Sequence, residues 1–215
     1  MKRMIKACAL TLALLSLGTA LLSCKETEGK DTDTELESYA GMPEYDLEGL
    51  GGYVKPFKYT GLTVYAKVGE TRQEALWEEI VAGMEIIAYP SEQVEYYAAQ
   101  ERAKYRYYAK RDGIEYEALL EALGVTEETM YEAARGLVKD DLALQYIIKD
   151  ANITLSDAEL SEHTDKYAER LSEIYGYEAE YIKANMTEQI YDTMLSDKTM
   201  EFLLRSNTVY TSMSK

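Results

Sequence analysis

Apolar residues recur every three to four positions along most of the chain after Gly69. This is the spacing of an amphipathic helix that buries one face. Together with capping and stop residues, the spacing predicts six helices, over residues 71–87, 91–111, 115–123, 126–151, 156–176 and 178–205. The three prolines of the chain all lie outside these helix interiors, in agreement with an all-α fold.

Side chains that can cap a helix stand at several of the predicted starts. Ser91 and Thr126 each occupy an expected N-cap position, where a hydroxyl accepts a hydrogen bond from a free backbone N–H. Ser156 and Glu159 form the Ser-x-x-Glu pattern of a capping box. We therefore expect the helix starts to be well defined.

One segment alternates with the period of a strand instead. In LTVYAKV, residues 62–68, every second residue is apolar. Because one strand cannot form a sheet, we expect this segment to lie on the helices as an extended arm or to pair with another chain. The sequence thus predicts an extended segment over residues 53–69, followed by a helical domain over residues 70–210.

The N-terminus has the pattern of an export signal. Lys2, Arg3 and Lys6 precede an apolar run over residues 7–22. At about 16 residues, the run is shorter than the roughly 20 that a membrane-spanning helix needs. We predict a signal peptide over residues 1–23, with a retained membrane anchor as the alternative.

A cysteine follows this apolar run. Leu21, Ser23 and Cys24 resemble the bacterial lipobox, although Leu22 is bulkier than its usual occupant. The resemblance implies that the thiol of Cys24 is alkylated with diacylglycerol and that Cys24 becomes the first residue of the mature chain. Cys8 would leave with the signal, so no disulfide could form within the mature chain.

The residues after Cys24 are acidic and poor in aliphatic side chains. Residues 24–52 predict a lipidated flexible tether, because such a composition cannot bury enough apolar area to offset its ordering entropy. The formal net charge is −16, and removal of residues 1–23 with their three basic side chains makes it −19. That charge repels nucleic acid and anionic head groups, so we expect membrane contact through acyl chains alone.

Tyrosine is unusually frequent, with 20 residues against two Phe and one Trp. Tyr96 and Tyr97 point about 100° apart on the second predicted helix, so they cannot both face one partner helix. Some tyrosines must therefore be accessible. Either they form an adaptable binding surface, since tyrosine offers a large amphipathic contact, or they keep exported helices soluble.

No catalytic or metal-binding pattern accompanies these features. His163 is the only histidine, and its spacing from Leu160 and Tyr167 favours the edge of a packed stripe. A Ser-His-Asp triad or a multi-histidine metal site has no support in the spacing. We therefore predict no enzyme and no cofactor.

Three segments resemble the C-terminal chaperone domain of bacterial trigger factor, particularly of the clostridial kind. They are RQEALWEEIVAGMEIIAYPSEQVEYYAAQERAKY from residue 72, the corner NITLSDAE from residue 152, and YIKANMTEQIYDTMLSDKTMEFLLRSNTV from residue 181. The resemblance implies an elongated helical domain with helical arms. The family's ribosome-binding domain and its FKBP-type prolyl isomerase domain are missing. The helical module of exported parvulin-type foldases is similar in general plan.

The resemblance implies an ATP-independent holdase that binds unfolded or newly exported proteins. The lipid anchor would place it on the extracytoplasmic face of a bacterial cell membrane. Tyr96, Tyr97, Tyr105 and Tyr108 are the candidate client-binding residues. The alternative is a structural or adaptor lipoprotein that binds one envelope partner. A single contiguous apolar patch would favour this alternative, whereas tyrosines spread across several helices favour the holdase. The oligomeric state is left open.

Overall fold

A computed structural model of the chain describes residues 42–211. The predicted signal peptide, Cys24 and the tether up to residue 41 lie outside the described residues. Within residues 42–211, a 3-10 helix (Glu48–Gly52) precedes seven α-helices and two short strands. These are β1 (Thr63–Ala66), α1 (Arg72–Ala82), α2 (Ser91–Asp112), α3 (Tyr116–Leu123), α4 (Glu127–Asp150), α5 (Asp157–Tyr175), α6 (Ala179–Asn185), α7 (Thr187–Ser206) and β2 (Thr208–Thr211). The all-α prediction is confirmed.

The helix caps agree with the sequence signals at two of the three predicted positions. The hydroxyl of Thr126 accepts from the backbone N–H of Thr129 at 3.2 Å. Ser156 and Glu159 form the predicted capping box, in which the Ser156 N–H donates to the Glu159 carboxylate at 2.8 Å. Ser91 is not a cap: Pro90 takes the N-cap position, and no side chain caps α2 there.

Loss of the α5 cap should cost a measurable part of the stability. We expect Ser156→Ala to lower the free energy of unfolding by about 1 kcal/mol, because the Glu159 N–H loses its acceptor at 3.3 Å. Ser161→Ala, an exposed serine inside the same helix, is the control and should cause no loss. Urea unfolding of both variants tests this, and an equal response would contradict the capping role.

The described residues form two compact units. The first unit comprises residues 56–85 and 143–211, and the second comprises residues 42–55 and 86–142. Each buries its own set of apolar side chains, as the helical periodicity predicts. The first unit buries Leu76, Ile80, Ile147, Leu171, Ile182 and Leu203. The second unit buries Leu50, Val54, Met130, Ala134, Val138 and Leu142.

In the first unit, β1 pairs in parallel with β2, with Val64 opposite Val209. The expected packing of residues 62–68 on a helix is confirmed, because β1 lies against α1. The expected pairing with another chain is wrong, since the partner strand belongs to the same chain. Asn207 lies between α7 and β2 and helps to hold the pair together. Its side chain accepts from the Leu62 N–H at 2.7 Å and donates to the Tyr59 carbonyl at 3.0 Å.

The last predicted helix, residues 178–205, is broken into α6 and α7. Met186 separates them with φ −130° and ψ 36°, and its side chain is buried. On either side, polar side chains bond to backbone carbonyls: Asn185 donates to Tyr181 at 2.9 Å and Thr187 to Lys183 at 3.2 Å. Such local bonds compete with the helical pattern, and they flank the break.

The first predicted helix, residues 71–87, is also shorter than expected. The helix α1 ends at Ala82. In the second unit, Ile86 forms an antiparallel bridge with Val54, and the Ile87 N–H donates to the Tyr53 carbonyl at 2.7 Å. Extended pairing with a distant segment therefore replaces the last predicted turn.

Residues 42–55 belong to the second unit and not to a flexible tether. The 3-10 helix carries Leu50, which is buried, as is Val54 just after it. The Gln93 side chain donates to the backbone carbonyls of Pro43 and Glu44 at 3.3 and 3.0 Å. The tether boundary predicted at Gly52 is thus too late.

Candidate functional site

The four candidate tyrosines differ in their surroundings along α2. Tyr97 is 6% exposed, so its ring faces the interior of the second unit. Tyr96 and Tyr105 are half-buried, and Tyr108 is exposed. Tyr96 meets Tyr97 edge to face with ring centroids 5.4 Å apart, and Tyr105 meets Tyr108 in the same way at 6.5 Å. The structure thus brings them together as two pairs, of which only Tyr96, Tyr105 and Tyr108 reach the surface.

Tyr97 takes part in a hydrogen-bonded cluster with Asp141. The hydroxyls of Tyr97 and Tyr45 both donate to the same carboxylate oxygen of Asp141, at 2.6 and 3.0 Å. Burial raises the pKa of Asp141 to about 6, although the two hydroxyl hydrogen bonds act in the opposite direction. Burial and the Asp141 charge also raise the pKa values of both tyrosines. This cluster holds the segment around Tyr45 against α2 and α4.

A cavity of about 770 Å³ opens in the second unit. Its wall is partly apolar and aromatic and partly charged. The lining residues are Pro43, Tyr89, Ser91, Glu92, Val94, Glu95, Tyr131 and Arg135. Such a mixed lining is typical of sites that bind an apolar group and orient it by a few polar contacts.

The charged rim of the cavity is tied together by ion pairs. Glu95 accepts from the hydroxyl of Tyr131 and from the Arg102 guanidinium. Arg102 also donates to Glu127 at 3.1 Å, which joins α2 to the start of α4. The hydrogen bond from Tyr131 is the main cause that lowers the pKa of Glu95. Glu95 therefore carries its charge at neutral pH and keeps Tyr131 in place.

The hairpin of α2 and α3 offers a second apolar surface. No side chain of α3 is fully buried, although five of its eight residues are Leu or Ala. Leu123 is 55% exposed, and Ile114, in the turn before the helix, is also exposed. Leu119 and Leu120 are half-buried. An amphipathic helix with its apolar face this open can accept contact from another chain.

Exposed aromatic side chains occur in both units. They lie on several elements of the fold. Those exposed are Tyr65, Tyr89, Tyr107, Tyr108, Tyr181, Tyr191 and Tyr210. By the criterion set from the sequence, this spread favours many weak contacts over one specific partner.

The sequence did not single out Pro43, Tyr89 and Tyr131 as site residues. Pro43 falls in the stretch that composition assigns to a tether, and Tyr89 falls at a predicted helix end. Tyr131 lies one position after the core residue Met130, which is the only local hint of a partly exposed ring. Their convergence depends on contacts between distant parts of the chain.

Within residues 42–211, no group of three or more His, Cys, Asp or Glu side chains is placed to hold a metal ion. His163 is half-buried on α5. None of the helices in this range is long and apolar enough to cross a membrane.

Comparison with known proteins gives one match. The family model described as bacterial trigger factor protein (TF) C-terminus matches residues 64–205. Neither a curated protein nor a solved structure matches the chain.

Proposed function

The chain belongs to the trigger factor C-terminal family, whose model covers most of its 215 residues, and we propose that it is an ATP-independent holdase for newly exported proteins. The family domain is of the chaperone type and binds unfolded nascent polypeptides. A chaperone-like role therefore follows from membership. The extracytoplasmic location and the kind of client are our proposal.

The observation that carries the proposal is the open apolar surface of the second unit. Tyr89 at the cavity is 36% exposed, and Leu123 on α3 is 55% exposed. Full burial of one such side chain contributes about 1.5–3 kcal/mol. A client that covers two or three such side chains gains about 3–9 kcal/mol, which is of the same order as the cost of association, at least about 4 kcal/mol. Binding is then weak, and clients leave without nucleotide hydrolysis.

Light scattering of an aggregating client tests the holdase activity. Residues 25–215, which include the whole described structure, should suppress aggregation of a chemically unfolded protein at a few-fold molar excess. The double variant Tyr89→Ser/Leu123→Ser should need about threefold more protein for the same effect, because two contacts of the second unit are lost. Unchanged aggregation with the wild-type protein would contradict the proposal.

A matched control exists in the first unit. Tyr191 and Ile174 are 36% and 50% exposed, close to the values of the two test residues. Tyr191→Ser/Ile174→Ser should leave the activity near the wild-type level. An equal loss in both double variants would mean that client contact is not concentrated on the second unit.

The adaptor alternative makes a different prediction about partners. Affinity purification from membranes should recover many exported proteins in small amounts if the chain is a holdase. Recovery of one stoichiometric partner would support the adaptor instead.

We also propose that Cys24 attaches the chain to the outer face of the cell membrane. Cys24 lies outside the described residues, so its support is the sequence: an apolar run, a lipobox-like end and an acidic segment. Diacylglycerol provides two acyl chains, and two chains hold stably where one exchanges. The second unit would then meet client chains as they leave the export channel.

A further inference from the structure

The small sheet of the first unit has an edge that its own partner strand does not use. In a parallel pair, each strand directs alternate backbone groups toward its neighbour. The Thr208 N–H donates to the Leu62 carbonyl at 2.9 Å, which sets the phase of the ladder. The backbone N–H and C=O groups of Leu62, Val64 and Ala66 thus point toward β2. Those of Thr63 and Tyr65 point to the opposite edge.

These outward groups are available for bonding. Within residues 42–211, neither the Thr63 nor the Tyr65 N–H donates a hydrogen bond. The next outward amide, that of Lys67, donates to the Glu70 carboxylate at 2.7 Å, which closes the edge beyond Ala66. The open stretch therefore spans the three residues from Thr63 to Tyr65.

The two faces of this sheet differ sharply. Val64, Ala66 and Val209 are buried on the face that packs against α1. On the other face, the rings of Tyr65 and Tyr210 stack with centroids 5.2 Å apart and planes 19° apart. They are 72% and 52% exposed. A third strand would lie about 4.8 Å beyond β1, so a side chain level with Tyr65 would continue the stack.

We propose that the β1 edge binds an extended segment of an unfolded polypeptide as a third strand, with an aromatic or β-branched side chain placed against Tyr65. The proposal rests on the proposed holdase function, because the segment belongs to an unfolded client that the holdase binds. Backbone hydrogen bonds supply most of the contact in strand addition, so the edge tolerates many sequences. The exposed ring adds a preference for residues that suit a pleated surface.

Charge favours an unfolded segment over a second copy of the chain. Each copy carries a formal charge of −16, and two such copies repel each other. A neutral segment does not meet this repulsion. The edge is also short, which suits transient binding more than a stable dimer.

Hydrogen exchange of the full chain with a defined probe tests the edge. The probe is the acetylated, amidated peptide SNTVYTS, which copies residues 206–212 and so has a sequence known to pair with β1. At saturating peptide, we expect the Thr63 and Tyr65 amides to exchange about tenfold more slowly. The Val64 and Ala66 amides, already bonded to β2, should not change.

Changes in the peptide leave the protein fold untouched. The same peptide with alternate amides N-methylated cannot bond along one edge and should give no protection. Equal binding of the methylated peptide would overturn the proposal, as would unchanged exchange at Thr63 and Tyr65. Protection without peptide that grows with protein concentration would assign the edge to a second copy and also overturn it.

Two protein variants separate this proposal from the holdase function. Thr63→Pro removes an outward N–H and spares the ladder, so it should abolish peptide protection at Tyr65. Thr211→Pro, at the opposite edge of the same sheet, is the matched control and should bind normally. If Thr63→Pro binds the peptide like wild type, the edge proposal fails. If peptide adds to the edge but wild-type protein does not suppress aggregation, only the holdase proposal fails.

Discussion

The second unit is expected to become more stable as the pH falls from 7 to 5, and the Asp141→Asn variant is expected to lose most of this gain. The carboxyl of Asp141 has an ordinary pKa of 3.8, which burial raises to about 6 in the folded chain. Between these values the folded state binds more protons than the unfolded state. Stability therefore falls as the pH rises through this window.

The expected gain between pH 7 and pH 5 is about 1.3 kcal/mol, since one pKa unit corresponds to about 1.4 kcal/mol and only the part of this range below the folded pKa contributes. Asparagine keeps an oxygen that can accept from Tyr45 and Tyr97 but carries no charge. Asp141→Asn should thus be more stable than wild type at pH 7, and the difference should be about half as large at pH 5.

Carboxylates with lowered pKa values change the stability only at lower pH, outside the range from pH 5 to pH 7. The hydrogen bond from Lys198 lowers the pKa of Glu159 to about 2, and the pKa values of Glu74 and Glu95 are lowered too. Their stabilisation is present above their unfolded pKa values and is lost only as the pH falls below about 4.5. They oppose the effect of Asp141 only in that more acidic range.

Asp192 provides the matched control. It lies in the first unit, and burial with the nearby Glu188 charge raises its pKa to about 6. Amide exchange of α2 and of the α4 residues up to Leu142, corrected for intrinsic rates, reports on the second unit. Asp192→Asn should leave the pH dependence of the second unit's stability unchanged. The same pH dependence in Asp141→Asn as in wild type would show that Asp141 does not control this stability.

The helical periodicity predicted most elements but could not locate the break at Met186. Ile182, Met186, Ile190 and Met194 are all buried at intervals of four residues. Because the buried face continues in phase through the break, its pattern is that of one helix. The local sign was the pair Asn185 and Thr187, whose side chains can bond to backbone carbonyls.

The strand β2 was missed for a different reason. Four residues at the end of a helical stretch are too few to show a period. A hint existed in the repeated letters, since TVYA in β1 and TVYT in β2 pair residue for residue. Similar sequences do not by themselves indicate pairing, so the register became visible only in three dimensions.

The site was only partly predictable because it depends on long-range contacts. The angle between Tyr96 and Tyr97 shows that they differ in burial but does not show which ring is inside. The answer depends on Asp141, whose carboxylate accepts from Tyr97 across 44 positions in the chain. In the same way, Gln93 holds residues that composition assigns to the tether.

Replacement of Cys24 should abolish lipid attachment completely. The proposed modification alkylates the sulfur atom of Cys24. The hydroxyl of a serine at this position cannot take its place. Each buried methylene of an acyl chain contributes about 0.8 kcal/mol, so two chains account for stable anchoring and their loss removes it. After growth with a clickable fatty acid, wild-type protein should carry the label and Cys24→Ser should carry none.

Cys8→Ser is the matched control, because Cys8 is the other of the two cysteines and lies within the predicted signal. It should be labelled like wild type, and intact mass should show that residues 1–23 are absent from both proteins. Label on Cys24→Ser equal to that on wild type would place the lipid elsewhere. An unlabelled wild-type protein that retains residues 1–23 in the membrane pellet would identify the apolar run as an uncleaved anchor. Since the acyl chains are the proposed membrane contact, either result would reject Cys24 as the anchor.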